Sequence, residues 1–513
     1  MANDAGLALA GGDTNPPGEW RGTSRYTLVQ RIGRGGMGVV YEAFDRARGR
    51  TVALKTLVHF TPAALYCLKQ EFRTLADIQH PNLVRLYELV VEDSGRAFFT
   101  MELARGQDFH TYTLRDSARP ARLATAEVTR IEKEGEALVS SNRMSFAPDG
   151  TTLKVPAPGG PPRTHLADLH RLRLALRQLV QGVHALHAAG KLHRDLKPSN
   201  VLVTEEGRVV LLDFGLATDI ASATGDPLVA EVVGTPEYIA PEQVHAELPM
   251  PASDWYSVGV MLYQALVGRP PFTGSVMDVV KAKTTATAPP PSASVEQVPS
   301  DLDLLCCALL ERDPDRRPTG STLMRYLGAD GSLRPSLKCS VSRSSGLSLV
   351  GRKAHLCLLE GLFQLVREGS SVTVHVSGAS GMGKSTLVQY FAHGLAMRGE
   401  AVVLDGRVHE HESVPYKAID GVVDALSRHL KRRQDRNEPL ALPRHIDALA
   451  CLFPALRRVE LIAAATEKTE KSPTDPLHTR RLAFGALREI LADMARQRPV
   501  VLHLDDVQWG DVD

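Results

Sequence analysis

The stretch that decides the fold is residues 192–200, which read L-H-R-D-L-K-P-S-N. It places an acid (Asp195), a lysine (Lys197) and an amide (Asn200) in one short loop. A carboxylate in such a loop can accept or orient the proton of a hydroxyl group, and an ammonium group can neutralise a phosphate during its transfer. An amide oxygen is a hard ligand that suits Mg²⁺. These residue types are suited to phosphate transfer with magnesium, and the alternative is a basic surface turn after a helix.

The spacing within this loop resembles the catalytic loop H-R-D-x-x-x-x-N of the eukaryotic-type protein kinase superfamily. Two later motifs extend the resemblance: D-F-G at residues 213–215 and A-P-E at residues 240–242. The family implies a bilobal α+β fold that binds ATP and Mg²⁺. By resemblance, the catalytic residues are Asp195, Lys197 and Asn200, and the metal ligands are Asn200 and Asp213.

A glycine-rich stretch near the amino terminus predicts a phosphate-binding hairpin. Residues 33–38 read G-R-G-G-M-G, and β-forming residues follow where a Rossmann turn would require a helix. Glycines let backbone N–H groups approach phosphate oxygens closely. The residues assigned to this ATP-binding hairpin are Ile32, Gly33, Arg34, Gly35, Gly36, Met37, Gly38, Val39 and Val40.

A lysine and a glutamate are expected to form an ion pair beside this hairpin. Residues 51–55 read T-V-A-L-K and resemble the kinase strand whose lysine contacts the α- and β-phosphates. Residues 65–78 have helical spacing and contain Glu71, so we predict a Lys55–Glu71 ion pair. Glu71 as one of several surface acids is the alternative. The other residues expected around ATP are Ala53, Met101, Glu102, Leu103 and Leu202.

Further motifs predict structural contacts in the larger lobe. Residues 166–189 carry apolar side chains at helical spacing and should form the long helix before the catalytic loop. By resemblance, Asp254 should hold the backbone of the catalytic loop. Arg317 should pair with Glu242 in the interior, where breaking such a pair is costly.

The activation segment is expected at residues 216–240, again by resemblance. Lys197 in the catalytic loop and Thr235 in this segment favour serine or threonine over tyrosine as the phosphate acceptor. Arg194 could clamp a phosphate on the segment. Regulation by autophosphorylation is therefore a hypothesis.

The kinase domain is predicted to span residues 25–328, after a tail of residues 1–24 that is rich in Gly, Pro, Asp and Asn and expected to be disordered. Residues 116–164 depart from the family pattern. We interpret them as an insertion on the surface of the larger lobe, and two interpretations stay open: a tolerated loop or a docking element.

A second nucleotide site is predicted after a Ser/Gly-rich linker at residues 329–347. Residues 378–386 read G-A-S-G-M-G-K-S-T, between a predicted strand at 372–376 and a predicted helix at 387–397. This is the P-loop pattern, in which backbone amides and a helix amino terminus hold phosphates. The residues assigned to it are Gly378, Gly383, Lys384, Ser385 as a Mg²⁺ ligand, and Thr386.

Residues 500–506 read V-V-L-H-L-D-D and resemble a Walker B element. Asp505 would hold Mg²⁺ through water, and Asp506 could polarise the attacking water. With the P-loop, this resembles AAA-like or STAND-type signalling ATPases. The sequence stops soon after this strand, so residues 348–513 are expected to form an incomplete α/β P-loop NTPase domain without appreciable hydrolysis.

Composition narrows the classes of partner. The chain has 513 residues with 60 Lys plus Arg and 59 Asp plus Glu, so no global field points to nucleic acid or an anionic membrane. Six scattered cysteines favour reduced thiols over a disulfide scaffold. No apolar run is long enough for a membrane span, so a cytoplasmic location is the working expectation. Oligomeric state is not determined.

These patterns together predict a multi-domain chain: an α+β bilobal protein-kinase fold followed by the incomplete P-loop domain. The function indicated is transfer of the ATP γ-phosphate to Ser/Thr hydroxyls of a protein substrate. One alternative is a pseudokinase-regulated ATPase signalling scaffold, although the intact set Lys55, Glu71, Asp195, Asn200 and Asp213 argues against it. A nucleotide-dependent scaffold for transcription or defence is a third class.

Overall fold

The structure is a computed structural model, and it describes residues 20, 22–34, 38–92, 96–114, 163–164, 167–213, 236–244, 250–328, 351–467 and 475–510. Several predictions fall outside the described residues. They concern most of the tail, the hairpin tip at Gly35, Gly36 and Met37, nearly all of the 116–164 insertion, residues 214–235 of the activation region, and the linker.

Five strands form an antiparallel sheet in the amino-terminal lobe. They are β1 (Tyr26–Arg34), β2 (Gly38–Asp45), β3 (Arg50–Leu57), β4 (Leu86–Val91) and β5 (Ala97–Met101). Their order is β1-β2-β3-β5-β4. Side chains alternate between the two faces of a strand, so Leu54 and Phe98 join an apolar cluster on one face while Ala53 and Phe99 join the main core on the other.

Helix α1 (Pro62–Leu75) covers the core face of this sheet. It begins at Pro62 because Thr61 accepts a hydrogen bond from the N–H of Ala64 at 3.1 Å, and proline suits a first helical position. Its apolar face packs inward, with Phe72 and Phe99 ring centroids 6.0 Å apart. The predicted helix at 65–78 is therefore confirmed in type, with both ends shifted by three residues.

The larger lobe is mainly helical, with short strands at its edge. Its helices are α2 (Phe109–Thr113), α3 (Leu169–Ala188), α4 (Pro241–Val244), α5 (Pro251–Val267), α6 (Val276–Thr285), α7 (Ser300–Leu309) and α8 (Gly320–Tyr326). Its strands are β6 (Gly106–Asp108), β7 (Arg163–Thr164), β8 (Val201–Thr204), β9 (Val209–Leu211) and β10 (Val295–Glu296). The predicted long helix before the catalytic loop is α3, and the buried α5 anchors the lobe.

The carboxy-terminal domain has its own apolar core. Its helices are α9 (Lys353–Arg367), α10 (Lys384–Met397), α11 (Lys417–Asp435), α12 (Ile446–Leu452), α13 (Glu460–Glu467) and α14 (Pro476–Gln497). Its strands are β11 (Val402–Arg407), β12 (Glu412–Ser413) and β13 (Val500–Asp505). β11 and β13 pair in parallel, and helices α11, α12 and α14 supply most of the core. β12 instead joins the kinase sheet, parallel to β4.

One predicted strand is wrong. Residues 372–376 are not part of any sheet, and Val374 and Val376 are 43% and 40% exposed. Apolar, β-branched composition indicates a segment that is able to pair. A strand forms only where a neighbour offers its N–H and C=O groups, and here β13 pairs with β11 instead. The predicted helix after the P-loop and the strand at 500–504 are both confirmed.

The structure also shows the state of the cysteines and the character of the helices. Cys67, Cys306, Cys307, Cys357 and Cys451, the cysteines within the described ranges, are all free thiols. In the same part of the chain, no helix combines the length and the apolar character that a membrane crossing requires.

The predicted interior ion pair forms between Arg317 and Glu242. The two guanidinium nitrogens lie 2.7 and 2.8 Å from the two carboxylate oxygens, and the side chains are 0% and 3% exposed. This parallel geometry is the strong form of the arginine–carboxylate contact. The pair ties Arg317, which follows α7, to Glu242 on α4. Helix α4 begins directly after residues 236–240.

We expect Arg317→Met to lower the free energy of unfolding by roughly 3–5 kcal/mol, because it leaves the buried Glu242 carboxylate without its cation. The matched control is Arg316→Met, whose side chain is 74% exposed and 3.5 Å from Asp313. It should cost less than about 1 kcal/mol. Urea unfolding followed by intrinsic fluorescence measures both, and equal losses would contradict the interior role of Arg317.

Candidate functional site

The ammonium group of Lys55 joins three separate elements. Lys55 lies on β3, and its Nζ is 2.6 Å from Glu71 Oε1 on α1 and 2.6 Å from Asp213 Oδ1, which follows β9. The predicted Lys55–Glu71 ion pair is therefore confirmed, and Asp213 is a second partner. The Lys55 and Glu71 side chains are only 13% and 15% exposed, whereas Asp213 is 46% exposed and faces the cleft between the lobes.

Sharing one ammonium group between two carboxylates shifts all three pKa values. Burial raises the pKa of Glu71 to about 7, with Lys55 opposing the shift and Asp213 adding to it. Burial also acts to raise the pKa of Asp213, but Lys55 outweighs burial and the pKa of Asp213 lies below its ordinary value. Burial acts to lower the pKa of Lys55, and the two carboxylates raise it overall. Lys55 therefore stays charged near neutral pH.

The catalytic-loop residues contact one another directly. Lys197 Nζ lies 2.8 Å from Asp195 Oδ2, and Asn200 Nδ2 donates to the same oxygen at 2.9 Å and to the Asp195 carbonyl at 2.8 Å. Both side-chain contacts engage Oδ2, so Oδ1 is the Asp195 oxygen that can meet another hydroxyl. Because Asn200 directs its nitrogen at Asp195, its Oδ1 is the atom that could face a cation.

A buried carboxylate holds the backbone of this loop. Asp254 on α5 accepts hydrogen bonds from the N–H groups of His193 and Arg194 at 3.0 and 2.9 Å, and His187 contacts it at 2.7 Å. The prediction for Asp254 is thus confirmed. Arg194 and Asp213 have φ angles of 66° and 46°. Non-glycine residues adopt this left-handed region at a cost, which the surrounding contacts must offset.

The residues predicted to contact adenine lie on strands of both lobes. Ala53 on β3 is buried, and Met101 ends β5, where it borders a small cavity of about 10 Å³ together with Glu71 and Asp213. Leu202 lies on β8. The N–H of Glu102 donates to the carbonyl of Arg85 at 2.8 Å. Adenine contacts in this segment would therefore use the carbonyl of Glu102 and the groups of Leu103 and Ala104.

The described part of the glycine hairpin has the predicted form. Gly33 pairs with Val40 and Arg34 with Val39 across β1 and β2, while Ile32 is 44% exposed. A Cβ atom on Gly38 would lie 2.8 Å from the carbonyl oxygen of Thr56, so only glycine fits there without displacing the strand.

The P-loop residues also come together. Gly378, Gly381 and Gly383 have φ angles of 154°, 78° and 77°, a region that favours glycine. Lys384 Nζ donates to the Gly378 and Ala379 carbonyls at 2.9 and 3.1 Å, and Ser385 Oγ donates to Asp505 Oδ1 at 3.0 Å. These last two are the residues predicted for Mg²⁺. Thr386 follows on α10, exposed.

Asp506 has a contact that the sequence did not suggest. Its Oδ2 accepts hydrogen bonds from Arg407 Nε and Nη2 at 2.9 and 2.8 Å. Arg407 ends β11 and faces Asp505 in the sheet register. The role predicted for Asp506, polarising a water molecule, stays a prediction.

Sequence reasoning also missed Lys283. This lysine on α6 is 1% exposed, and its ammonium group donates to the carbonyls of Pro236, Glu237 and Ile239 at 2.8, 2.6 and 2.6 Å. Burial lowers the pKa of Lys283 to about 7. It fastens the segment that leads into the A-P-E motif. In the sequence, Lys283 is simply a lysine near apolar positions of a helix. Such a lysine is usually exposed, so the sequence did not mark it as buried.

Two models of protein families match the chain. A family model described as a protein kinase domain matches residues 26–133 and 162–327. A second model, described as an AAA ATPase domain, matches residues 348–513.

Curated relatives are bacterial. The chain is 30% identical over 330 residues to a probable serine/threonine-protein kinase PknB of Bifidobacterium longum, covering 62% of this chain and 39% of the relative. It is 32% identical over 278 residues to serine/threonine-protein kinase PknA of Mycobacterium tuberculosis, covering 52% and 53%. For PknL of the same organism the identity is 32% over 298 residues, covering 57% and 62%. The chain thus spans between about two-fifths and three-fifths of these relatives' lengths.

We expect Lys283→Met to lower the free energy of unfolding by roughly 1–3 kcal/mol, because three buried backbone carbonyls lose their hydrogen-bond donor. It should also speed hydrogen exchange in residues 236–244. The control is Lys281→Met on the exposed side of the same helix, which should change stability by less than about 0.5 kcal/mol. If both variants behave alike in denaturant unfolding and hydrogen exchange, Lys283 does not fasten this segment.

Proposed function

Because this chain belongs to the protein kinase family, we propose that it transfers the γ-phosphate of ATP to serine or threonine hydroxyls of protein substrates. The observation that supports this most directly is the convergence of Lys55, Glu71 and Asp213 at 2.6 Å contacts beside the Asp195–Asn200 loop. The curated relatives are described as serine/threonine-protein kinases, which supports the choice of acceptor.

Each polar residue of the cleft has a place in the proposed reaction. Lys55, fixed by Glu71, holds the α- and β-phosphates. Asp195 Oδ1 accepts or orients the proton of the acceptor hydroxyl, and Lys197, 2.8 Å from Asp195 Oδ2, stabilises negative charge on the transferring group. Catalysis then rests mainly on positioning and charge stabilisation, as phosphoryl transfer requires.

The residues present fit a magnesium ion. Mg²⁺ is usually held by one or two carboxylates together with substrate phosphates. The Asp213 side chain is 46% exposed and only its Oδ1 contacts Lys55, so Oδ2 could contact a cation. The nitrogen of Asn200 is engaged with Asp195, which directs its carbonyl oxygen elsewhere. Within the described ranges, no group of three or more His, Cys, Asp or Glu side chains could hold a metal ion by itself. Asn200 and Asp213 would therefore hold Mg²⁺ together with ATP, where it neutralises phosphate charge.

We further propose that the P-loop of the carboxy-terminal domain binds a second nucleotide. Its support is the left-handed glycines around Lys384 and the 3.0 Å contact between Ser385 and Asp505. Ser385 and Asp505 would share a magnesium ion there, and Lys384 would exchange its carbonyl contacts for phosphate oxygens.

We expect Asp195→Asn to lower kcat for phosphate transfer to a generic protein substrate by roughly 10²–10⁴-fold, because the amide cannot accept the hydroxyl proton. The KM for ATP should change little, since Asp195 does not hold the nucleotide. The control is Glu296→Gln, an exposed carboxylate on β10. Wild-type protein that binds ATP without transferring phosphate would instead support the pseudokinase alternative.

We expect the 513-residue chain to bind two equivalents of labelled ADP with Mg²⁺, and Lys384→Ala to weaken the binding of one of them by roughly 10–150-fold. That range corresponds to losing a charged hydrogen bond of about 1.5–3 kcal/mol. Lys353→Ala, on the exposed surface of α9, serves as the control. Equilibrium dialysis that finds a single equivalent in wild type, unchanged in Lys384→Ala, would refute the second site.

A further inference from the structure

Helix α1 presents a second charged face opposite Glu71. Tyr66, Lys69 and Arg73 are three and four residues apart, so they share one side of the helix, and the helical period places Glu71 on the other side. Tyr66 and Lys69 are each only 2% exposed. A lysine is almost never buried unless it is paired. Something must therefore cover this face.

The cover is the carboxy-terminal domain. Lys69 Nζ lies 2.8 Å from both carboxylate oxygens of Asp420 and 3.0 Å from Asp424. Arg73 contacts Glu412 through two parallel hydrogen bonds of 2.6 and 2.9 Å, and it also reaches Asp420 at 2.6 Å and Asp424 at 2.8 Å. All five side chains are at least nine-tenths buried. Buried networks of this kind are costly to break by removing one partner.

Apolar and backbone contacts surround this network. Tyr66 packs with Ala455, and the Arg458 guanidinium stacks 3.7 Å from the centre of the Tyr66 ring. Strand β12 pairs with Leu89 and Val90 of β4, so the carboxy-terminal domain adds a sixth strand to the kinase sheet. Strand addition of this kind gives strong and directional docking. The contact is therefore an extended interface that grips both α1 and the sheet edge.

Arg407 links the P-loop site to the same region. Its Nη1 lies 2.7 Å from Asp77, just after α1, while its Nε and Nη2 contact Asp506. Asp506 is adjacent to Asp505, which accepts the Ser385 hydroxyl at 3.0 Å. One arginine, 45% exposed, thus bridges the acids of the P-loop site and the carboxylate at the end of the kinase helix. Burial acts to raise the pKa of Asp77, but His409 and Arg407 lower it overall.

We propose that the carboxy-terminal domain is the in-chain partner that holds α1 where Glu71 meets Lys55, and that Arg407 couples the P-loop nucleotide site to this helix. The inference rests on the proposed kinase function, because the Lys55–Glu71 contact matters only where ATP is bound. Because β12 ties the carboxy-terminal domain to the kinase sheet, α1 cannot shift relative to that sheet without disturbing the ion pairs of Lys69 and Arg73. An effector that weakens the interface would therefore shift α1. The contacts of the domain then differ between the two positions of the helix, and coupling between two sites requires such a difference.

The first experiment removes the charges that face α1 while leaving the kinase domain unchanged. The variant Asp420→Asn/Asp424→Asn of the 513-residue chain leaves Lys69 and Arg73 with Glu412 as their only carboxylate in this cluster. We expect kcat/KM for ATP to fall fivefold or more and the α1 amides to exchange hydrogen faster. The matched control is Asp435→Asn on the same helix α11, whose side chain is 52% exposed; it should behave as wild type in both measurements.

These two measurements separate the possible failures. If wild type transfers no phosphate, the proposed kinase function fails, while the exchange of α1 still decides whether the domain holds the helix. If wild type is active and Asp420→Asn/Asp424→Asn matches Asp435→Asn in activity and exchange, the inference is overturned. If the double variant folds poorly, Ala455→Arg replaces it, because this substitution inserts a charge beside Tyr66 in the same interface. It is compared with Asp435→Asn in the same two measurements, and equal behaviour would likewise overturn the inference.

The second experiment tests Arg407 with a double-mutant cycle, since a coupling residue must be non-additive with the site it serves. Lys384→Ala, Arg407→Ala and the double variant are compared with wild type for kcat/KM and for Mg–ADP-dependent exchange of α1. Coupling between two sites typically changes the affinity at one of them by roughly 5–150-fold. We expect the effect of Lys384→Ala to shrink at least fivefold when Arg407 is absent. Equal effects of Lys384→Ala in both backgrounds would overturn the role of Arg407.

Discussion

The ammonium group of Lys55 between two carboxylates is the interaction on which the kinase cleft depends. It joins β3, α1 and the residue that follows β9, so it relates both lobes at one point. Burial raises the pKa of Glu71 to about 7, and Asp213 adds to the rise because one positive charge faces two negative charges. A Mg²⁺ ion held by Asp213 would add positive charge next to this pair of carboxylates.

A second group of buried ion pairs lies on the face of α1 opposite Glu71. There, Lys69 and Arg73 meet three buried carboxylates, again with one more acid than base. Burial raises the pKa of Asp424, and Asp420 adds to the rise while Lys69 opposes it. The helix is thus held by ion pairs on both of its faces. Buried charge networks contribute little net stability, yet they disfavour any other position of the helix, because a shifted helix would leave charges unpaired.

Local sequence patterns anticipated much of this site. The contacts Lys55–Glu71, Asp254 to the catalytic loop, and Arg317–Glu242 all form as predicted. Each contact involves residues of a sequence motif, in which the spacing and the structural role of each position are fixed. Lys283, Lys69 and Arg73 belong to no such motif, and a helical lysine or arginine is most often exposed, so nothing in the sequence marked them. The strand predicted at 372–376 failed for a related reason: strand pairing depends on which neighbour is available.

The motifs along the chain were enough to predict a bilobal kinase fold, a P-loop module and some of the cleft contacts, such as Lys55–Glu71. Those properties follow from short-range spacing, because glycine turns, capped helices and loop motifs are set by neighbours along the chain. Only the tertiary structure decided that the two modules share a sheet, that the face of α1 opposite Glu71 is buried, and that Arg407 reaches Asp77. Ion pairs between residues more than three hundred positions apart leave no periodic pattern, since any exposed acid could have been the partner.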